Sequence, residues 1–230
     1  MQVEIWSDVM CPFCYIGKRR FEQALAQFEH KEDVKVVWKS FQLDADMPAH
    51  TDKSIHEYLA ERKGLTIDHA RQLNNQVSAM AAEAGLQYNF DKAVVANSFD
   101  AHRFSHLAAQ HGLGDAAEES LFKAYFTNGQ NIADHNVLAQ LGAGIGLHAD
   151  EVKATLAGNA FADAVQADVT EAAQLGARGV PFFVIDRKYA VSGAQPAATF
   201  LHALQHAFAE QEKLPAADGN NACDINGNCS

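Results

Sequence analysis

Two cysteines separated by two residues are the feature of this sequence best suited to chemistry. Cys11 and Cys14 enclose a Pro-Phe dipeptide and follow a short alternating apolar run over residues 3–6. The segment after them, residues 15–25, has the apolar spacing of a helix. A C-x-x-C motif between a strand and a helix is typical of thiol–disulfide redox chemistry.

The start of a helix gives the two sulfurs different roles. Unpaired backbone N–H groups and the positive end of the helix dipole favour a thiolate at Cys11, and such sites lower a cysteine pKa from about 8.5 to roughly 3.5–7.5. Pro12 suits the first helical position, because no N–H donor is needed there. We therefore predict that Cys11 is the nucleophile and that Cys14 resolves the mixed disulfide.

Two other interpretations of the pair are half of a zinc site and two unrelated core cysteines. A structural zinc site normally needs two such pairs within tetrahedral reach. A proline inside a zinc-binding pair that follows a buried strand is also unusual. The strand and helix around the motif favour redox chemistry over both.

The composition is that of an ordinary globular protein. Of the 230 residues, 48% are hydrophobic and 20% are charged, and 18 basic against 29 acidic residues give a formal net charge of −11. This acidic balance argues against nucleic acid or an anionic membrane as a partner. The length allows one domain with a large insertion or two packed domains.

The start of the sequence lacks the pattern of a secretory signal, which is a basic region followed by an apolar run. No segment approaches the roughly 20 apolar residues that cross a membrane. We therefore expect a cytoplasmic protein. In a reducing compartment a C-x-x-C pair is typically transient and catalytic.

Strand patterns occur on both sides of a long helical region. β-Branched and aromatic residues predict a strand over 34–41, and two apolar runs joined by a polar link predict a hairpin of 180–186 and 189–192. A closing helix is expected over 197–212. We interpret Lys39 as a solvated strand lysine in preference to a charge near the cysteines.

Residues 54 to 176 have helical periodicity almost throughout. Helices are predicted over 54–63, 67–85, 97–112, 115–128, 134–144, 148–157 and 160–177. Asp68, Asp134 and Asn159 are predicted to be caps or near-caps. The aromatic run 122–126 is interpreted as packing in preference to the lining of a substrate groove.

His102 and His106 stand four residues apart on one of these helices. This spacing can hold a metal ion, but no acidic partner occurs at the expected offset, and two histidines alone do not complete a site. We therefore predict a packed or solvated helix face and no bound metal.

A second cysteine pair, Cys223 and Cys229, lies in the polar segment 214–230. The segment allows three interpretations: free thiols on a flexible end, a calcium loop with its glycine out of register, and an auxiliary disulfide. We predict an intramolecular disulfide that exchanges electrons with the C-x-x-C pair. A linker of about ten residues has a root-mean-square reach of roughly 16–19 Å.

Several segments together match a known pattern, namely residues 7–20, 41–43, 101–103, 179–185 and 191–196. In this order they resemble the thioredoxin-like proteins of the DsbA family, and more closely its FrnE-like branch. The resemblance covers nearly everything before the tail.

The resemblance implies an α/β protein: a thioredoxin fold with a large all-helical domain inserted between the second strand and the strand of Pro181. The implied thioredoxin-like domain comprises residues 1–50 and 178–213, and the inserted domain comprises residues 51–177. Residues 214–230 would form a flexible tail.

The resemblance also implies how the site is built. Pro181 should be cis and lie beside the cysteines, the Val180 backbone should pair with an extended substrate segment, and Phe13 should contribute to substrate binding. Many periplasmic members have histidine at the position of Phe13, so this protein is expected to be a weaker oxidant.

Members of this branch are regarded as dithiol–disulfide oxidoreductases or isomerases without a bound cofactor. The sequence therefore predicts an enzyme that acts on disulfide-containing proteins or small thiols, with glutathione as a candidate reductant.

Two alternatives stay open. One is a glutathione-dependent isomerase or transferase similar to 2-hydroxychromene-2-carboxylate isomerase or the kappa-class glutathione transferases, which typically have serine in place of the first cysteine. The other is a zinc-holding redox chaperone with Cys11, Cys14, Cys223 and Cys229 as ligands.

Overall fold

The computed structural model describes residues 1–48 and 51–213. The strands are β1 (Gln2–Ser7), β2 (Lys35–Ser40), β3 (Phe182–Ile185) and β4 (Tyr189–Ser192). The α-helices are α1 (Pro12–Gln27), α2 (Ile55–Lys63), α3 (Ile67–Glu83), α4 (Phe99–Gln110), α5 (Gly114–Phe122), α6 (His135–Ile145), α7 (Ala149–Ala157), α8 (Ala162–Gln174) and α9 (Ala197–Lys213). Short 3-10 helices occur at Lys31–Asp33 and Phe90–Lys92, and a π-helix at Lys123–Asn128.

The four strands form one mixed sheet in the order β2-β1-β3-β4. β1 is parallel to β2 and antiparallel to β3, and β3 is antiparallel to β4. Ile5 of β1 stands opposite Trp38 on one side and Phe183 on the other. The parallel pair needs a crossover connection, which α1 supplies.

Alternate residues of β1 face two separate cores, as the period of a strand requires. Val3 and Ile5 pack with Phe21 of α1 and Phe200 of α9. Trp6 faces the other side and packs with residues of β3 and α8. Helices therefore cover both faces of the sheet.

Helix α9 lies alongside α1 and runs in the same direction. Phe200 contacts Phe21, and further along both helices Phe208 contacts Phe28, with 5.8 Å between ring centroids in each pair. The end of α9 therefore lies towards the end of α1 that is remote from Cys11.

The region from α2 to α8 connects β2 to β3 and is almost wholly helical, as predicted. Its largest cluster of buried side chains also includes Val9, Cys11, Cys14 and Ile16. The helices therefore pack directly on the C-x-x-C motif. Because one cluster spans the junction, the division at residues 50/51 and 177/178 stays a prediction.

Each predicted helix of this region occurs, with ends shifted by a few residues. Asp134 caps α6 through its side chain, whereas Asp68 lies in the first turn of α3, whose N-cap is Thr66. Asn159 precedes α8, whose N-cap is Phe161. Within the described ranges, no helix is long and apolar enough to cross a membrane.

Candidate active site

The two cysteines lie where the turn after β1 enters α1. Cys11 is the N-cap of α1 with extended backbone angles (φ −84°, ψ 110°), and Pro12 begins the helix. The Cys14 N–H donates to the Cys11 carbonyl oxygen over 3.0 Å. Both thiols are free and buried, with 3% of Cys11 and 1% of Cys14 exposed. Phe13 is 40% exposed and presents an apolar surface beside them.

Residues 180 and 181 lie over Cys11. The Cys11 thiol donates to the Val180 carbonyl oxygen, with 3.4 Å between Sγ and O. The Val180–Pro181 peptide bond is cis, and the Pro181 carbonyl accepts from the Gly193 N–H over 2.8 Å. The structure therefore brings Cys11 together with the segment that the resemblance assigns to substrate binding.

Gly17 is a site-forming residue that sequence reasoning missed. It lies in α1, and a Cβ atom at this position would stand 2.8 Å from Pro181 Cγ. Contacts this short do not occur without displacement of one partner. A glycine one turn after the motif thus lets Pro181 approach the helix that carries both cysteines.

The surroundings of Cys14 keep its thiol protonated. Burial raises the pKa of Cys14, and the hydrogen bond and negative charge of Cys11 raise it further. Hydrogen bonding to the Asp8 backbone opposes this rise without cancelling it. Because ionisation of Cys14 is disfavoured in the dithiol form, Cys11 is the sulfur available for attack on a disulfide.

Asp8 fixes the turn between β1 and the motif. Its buried carboxylate accepts from the Met10 N–H at Oδ1 (3.2 Å) and from the Leu43 N–H at Oδ2 (2.7 Å). The imidazole of His102, on α4, approaches the same carboxylate, with 3.7 Å between Nε2 and Oδ1. One side chain thus joins the motif, the segment after β2 and the helical region.

Tyr88 is a second residue that the sequence did not indicate. Its hydroxyl donates to the Pro12 carbonyl oxygen over 2.7 Å, and its ring stacks on Phe126 with 4.5 Å between centroids. Burial raises the pKa of Tyr88, as do the charges of the two cysteines. The helical region therefore holds the first turn of α1 from the side.

The aromatic run 122–126 packs in the core, as predicted. Phe122, Tyr125 and Phe126 are buried, and Phe122 stacks on Tyr15 with 4.9 Å between centroids. These side chains support the motif and do not line a groove.

The two histidines of α4 contact different carboxylates, so their spacing does not form a metal site. His102 faces Asp8, whereas His106 Nε2 lies 3.1 Å from both Asp168 Oδ2 and Ser40 Oγ. Within residues 1–48 and 51–213, no group of three metal-ligating side chains occurs.

Ser40, His106 and Asp168 have the composition of a hydrolytic triad, but not its geometry. The serine and the aspartate contact the same ring nitrogen, whereas a triad needs them on opposite nitrogens. The group is therefore a structural hydrogen-bond centre.

The interpretation of Lys39 as solvated is wrong. Its ammonium group pairs with Asp168 (2.8 Å) and Glu171 (3.2 Å) and lies 5.9 Å from the centre of the Trp6 ring. Helix α8 covers the face of the sheet on which Lys39 lies and supplies both of these carboxylates.

The remaining predicted site residues, Cys223 and Cys229, lie outside the described residues. Their disulfide and its exchange with the C-x-x-C pair stay predictions.

Comparison with known proteins identifies the family. The profile of the DsbA-like thioredoxin domain matches residues 2–205, so the chain belongs to the DsbA-like thioredoxin family of oxidoreductases. A protein from Streptomyces coelicolor, described as a probable DsbA oxidoreductase, is 43% identical, and its crystal structure has a TM-score of 0.89 over 100% of this chain and 98% of that chain. Assignment to the FrnE-like branch stays a prediction.

Two more distant structures share the fold. A 2-hydroxychromene-2-carboxylate isomerase is 13% identical with a TM-score of 0.68, over 94% of this chain and 100% of that chain. The cytosolic disulfide reductase DsbM of Pseudomonas aeruginosa, solved with glutathione, is 19% identical with a TM-score of 0.60, over 93% and 98%. At these identities the likeness concerns the fold alone.

Proposed function

We propose that the protein is a thiol–disulfide oxidoreductase or isomerase that acts on protein disulfides through Cys11 and Cys14. The observation that carries the proposal is the position of Cys11 at the start of α1, with its sulfur 3.4 Å from the Val180 carbonyl oxygen. The exposed Phe13 ring offers an apolar contact for a protein substrate beside this sulfur.

The reaction has two exchange steps. The Cys11 thiolate attacks a substrate disulfide, which forms a mixed disulfide and releases one substrate thiolate. Cys14 then loses its proton and attacks the Cys11 sulfur, which closes the Cys11–Cys14 disulfide and releases the second substrate thiolate. The substrate gains two electrons and the pair loses two. The reverse sequence oxidises a substrate dithiol.

Substitution of each cysteine tests these roles. Insulin reduction and the refolding of a scrambled disulfide substrate are measured side by side at a defined glutathione poise. Cys11→Ser should abolish both activities, whereas Cys14→Ser should accumulate a mixed disulfide visible by mass spectrometry. A Cys11→Ser protein that retains turnover contradicts the proposal.

The shared fold of the 2-hydroxychromene-2-carboxylate isomerase supports a second candidate, a glutathione-dependent isomerase or transferase. Transferase turnover that survives Cys14→Ser would favour it, since that chemistry needs no resolving thiol. Glutathione is also our proposed reductant for the first candidate, and the Pseudomonas protein of similar fold was solved with glutathione.

We also propose a cytoplasmic location, which is compatible with the cytosolic description of that Pseudomonas protein. Cell fractionation with a periplasmic marker tests it. Metal analysis of the purified protein tests the zinc-holding alternative, two of whose four cysteines lie outside the described residues.

A further inference from the structure

A line of buried polar groups leads from Cys14 to His102. Asp8 lies in the turn that holds the motif, since its carbonyl oxygen accepts from the Cys11 N–H over 2.9 Å and its carboxylate from the Met10 N–H over 3.2 Å. Hydrogen bonding to the Asp8 backbone lowers the pKa of Cys14 against the effect of burial, and the Asp8 carboxylate lies 3.7 Å from His102 Nε2. His102 is 2% exposed. In the described part of the chain, its Nε2 atom has no hydrogen-bond partner, so its contact with Asp8 is ionic.

His102 holds its positive charge to higher pH than a free histidine. Burial alone would lower the pKa of His102, but the neighbouring Asp8 carboxylate outweighs burial and raises it. Glu118 and the Phe41 backbone add to the rise. A cation is thereby kept in the interior, one carboxylate away from the resolving cysteine.

The other titratable groups around this line have raised pKa values, which favours their neutral forms. Burial raises the pKa of Glu118, which faces His102 from α5 and accepts from the Ser105 hydroxyl over 2.6 Å. Tyr125 of the π-helix and Tyr58 of α2 face Asp8, and burial raises the pKa of both phenols.

We propose that His102 is a positioning residue for the second step of the proposed reaction: its charge, acting through Asp8, favours loss of the Cys14 proton. The inference rests on the function proposed for the cysteine pair. In that step Cys14 gives its proton to water or to a substrate thiolate, and its sulfur bonds to the Cys11 sulfur as the bond between Cys11 and the substrate sulfur breaks and releases the second substrate thiolate. A buried thiolate is costly, and a nearby cation lowers that cost.

A two-step thiol reagent separates the two exchanges. Attack of Cys11 on 5,5′-dithiobis(2-nitrobenzoate) releases one coloured thiolate and leaves a mixed disulfide, and attack of Cys14 releases a second. Stopped-flow measurement of both phases between about pH 5 and 9 gives a pH profile for each sulfur.

His102→Gln should leave the first phase unchanged and move the profile of the second phase to higher pH by about one unit. At neutral pH this slows the second phase about tenfold. His106→Gln is the matched control, because it makes the same replacement one turn along α4 in a different hydrogen-bond group. It should change neither phase.

A second phase with the wild-type pH profile in His102→Gln overturns the inference. A wild-type protein that shows no second phase overturns the function proposed for Cys14 instead, so the two failures are distinguishable.

If His102→Gln does not fold, the wild-type protein provides a second test of the inference. Nuclear magnetic resonance of the ring C2 proton gives the pH at which His102 loses its charge in the wild-type protein. Because a cation favours the nearby thiolate, the rate of the second phase should rise less steeply with pH above that point. A second phase whose slope against pH does not change there overturns the inference.

Discussion

Two buried polar groups flank the sheet, and they differ in how completely their atoms are paired. The Asp168 centre, formed by Lys39, Ser40, His106 and Asp168, satisfies both carboxylate oxygens: Oδ1 accepts from Lys39 over 2.8 Å and Oδ2 from the Ser40 N–H over 2.9 Å. The motif centre, formed by Ser7, Asp8, His102, Glu118 and Tyr125, lies next to the cysteines and has buried atoms without hydrogen-bond partners among the described residues.

This contrast distinguishes a polar group that stabilises the fold from one that lies next to the reacting cysteines. A buried polar atom without a partner costs about 1–3 kcal/mol, so most folds remove such atoms. Among the described residues, the motif centre holds unpaired atoms of Ser7, His102, Glu118 and Tyr125. Its Asp8 is bonded to the motif, whose two sulfurs change charge during exchange. The Asp168 centre contains no cysteine, and the hydrogen bonds to both of its carboxylate oxygens hold α8 against the sheet.

Loss of the Asp168 carboxylate should give the largest stability effect. Asp168→Ala removes the buried carboxylate that pairs with His106, accepts from the Ser40 N–H and also pairs with Lys39. Lys39 keeps Glu171, and the loss of the other contacts costs about 3–5 kcal/mol of unfolding free energy. Denaturant unfolding measures the loss, and Asp163→Ala, an exposed position of the same helix, is the control. Turnover per folded molecule should persist; its loss would mean that the Asp168 centre takes part in chemistry.

Gly17→Ala should affect both stability and activity. The new methyl group overlaps Pro181 Cγ, and overpacking of this kind costs about 1–3 kcal/mol. Insulin reduction should fall because Pro181 moves away from Cys11. Gly144→Ala is the matched helical control, since a Cβ there meets no atom within 4 Å. Wild-type turnover in Gly17→Ala would show that the close approach is dispensable.

Tyr88→Phe removes one hydrogen bond at the edge of the motif centre. The Pro12 carbonyl loses the donor that lies 2.7 Å away, so unfolding free energy should fall by about 0.5–1.5 kcal/mol and turnover should decrease. Thermal and denaturant unfolding and insulin reduction are compared with the wild-type protein. Wild-type stability and turnover in Tyr88→Phe would place Tyr88 outside the functional arrangement.

The two centres should respond to pH with opposite signs. Burial raises the pKa of Glu118, so its contribution is most favourable in acid and declines as pH rises above the unfolded value. Burial alone would also raise the pKa of Asp168, but His106, Lys39 and the Ser40 N–H outweigh it and lower that pKa. The contribution of Asp168 is therefore present at neutral pH and is lost as pH falls.

Stability measured against pH checks these signs. Glu118→Gln should reduce the fall of unfolding free energy towards alkaline pH, and Asp168→Asn should reduce its fall towards acid pH. Each slope should change by no more than about 1.4 kcal/mol per pH unit, the value for one proton. If unfolding free energy depended on pH in the same way in wild type and Glu118→Gln, the raised pKa of Glu118 would be contradicted.

The sequence predicted local structure well because the spacing of apolar residues and the positions of Gly, Pro and capping residues are local signals. The strand before Cys11, the seven helices after β2 and the hairpin at Pro181 all follow from residue spacing. The start of α1 follows from Pro12.

Contacts across long separations were not predictable in this way. Gly17 touches Pro181, and Tyr88 bonds Pro12, yet nothing in the spacing of these residues marks them as neighbours. From the sequence, His102 and Arg103 could be identified only as part of a segment that resembles the family pattern. The structure shows that Arg103 binds carbonyl oxygens at the end of α7, at Thr155 (2.6 Å) and Leu156 (3.4 Å).

The common direction of α1 and α9 bears on the kinetics of the tail cysteines. α1 has 16 residues and is about 24 Å long. The last described residue, Lys213, lies beyond the contact of Phe208 with Phe28, and is therefore about the length of α1 or more from Cys11. The predicted exchange between the tail cysteines and Cys11 has to cross that distance. Its rate per molecule, measured against protein concentration, distinguishes the two routes: a constant rate indicates exchange within one molecule, and a rate that rises with concentration indicates exchange between two.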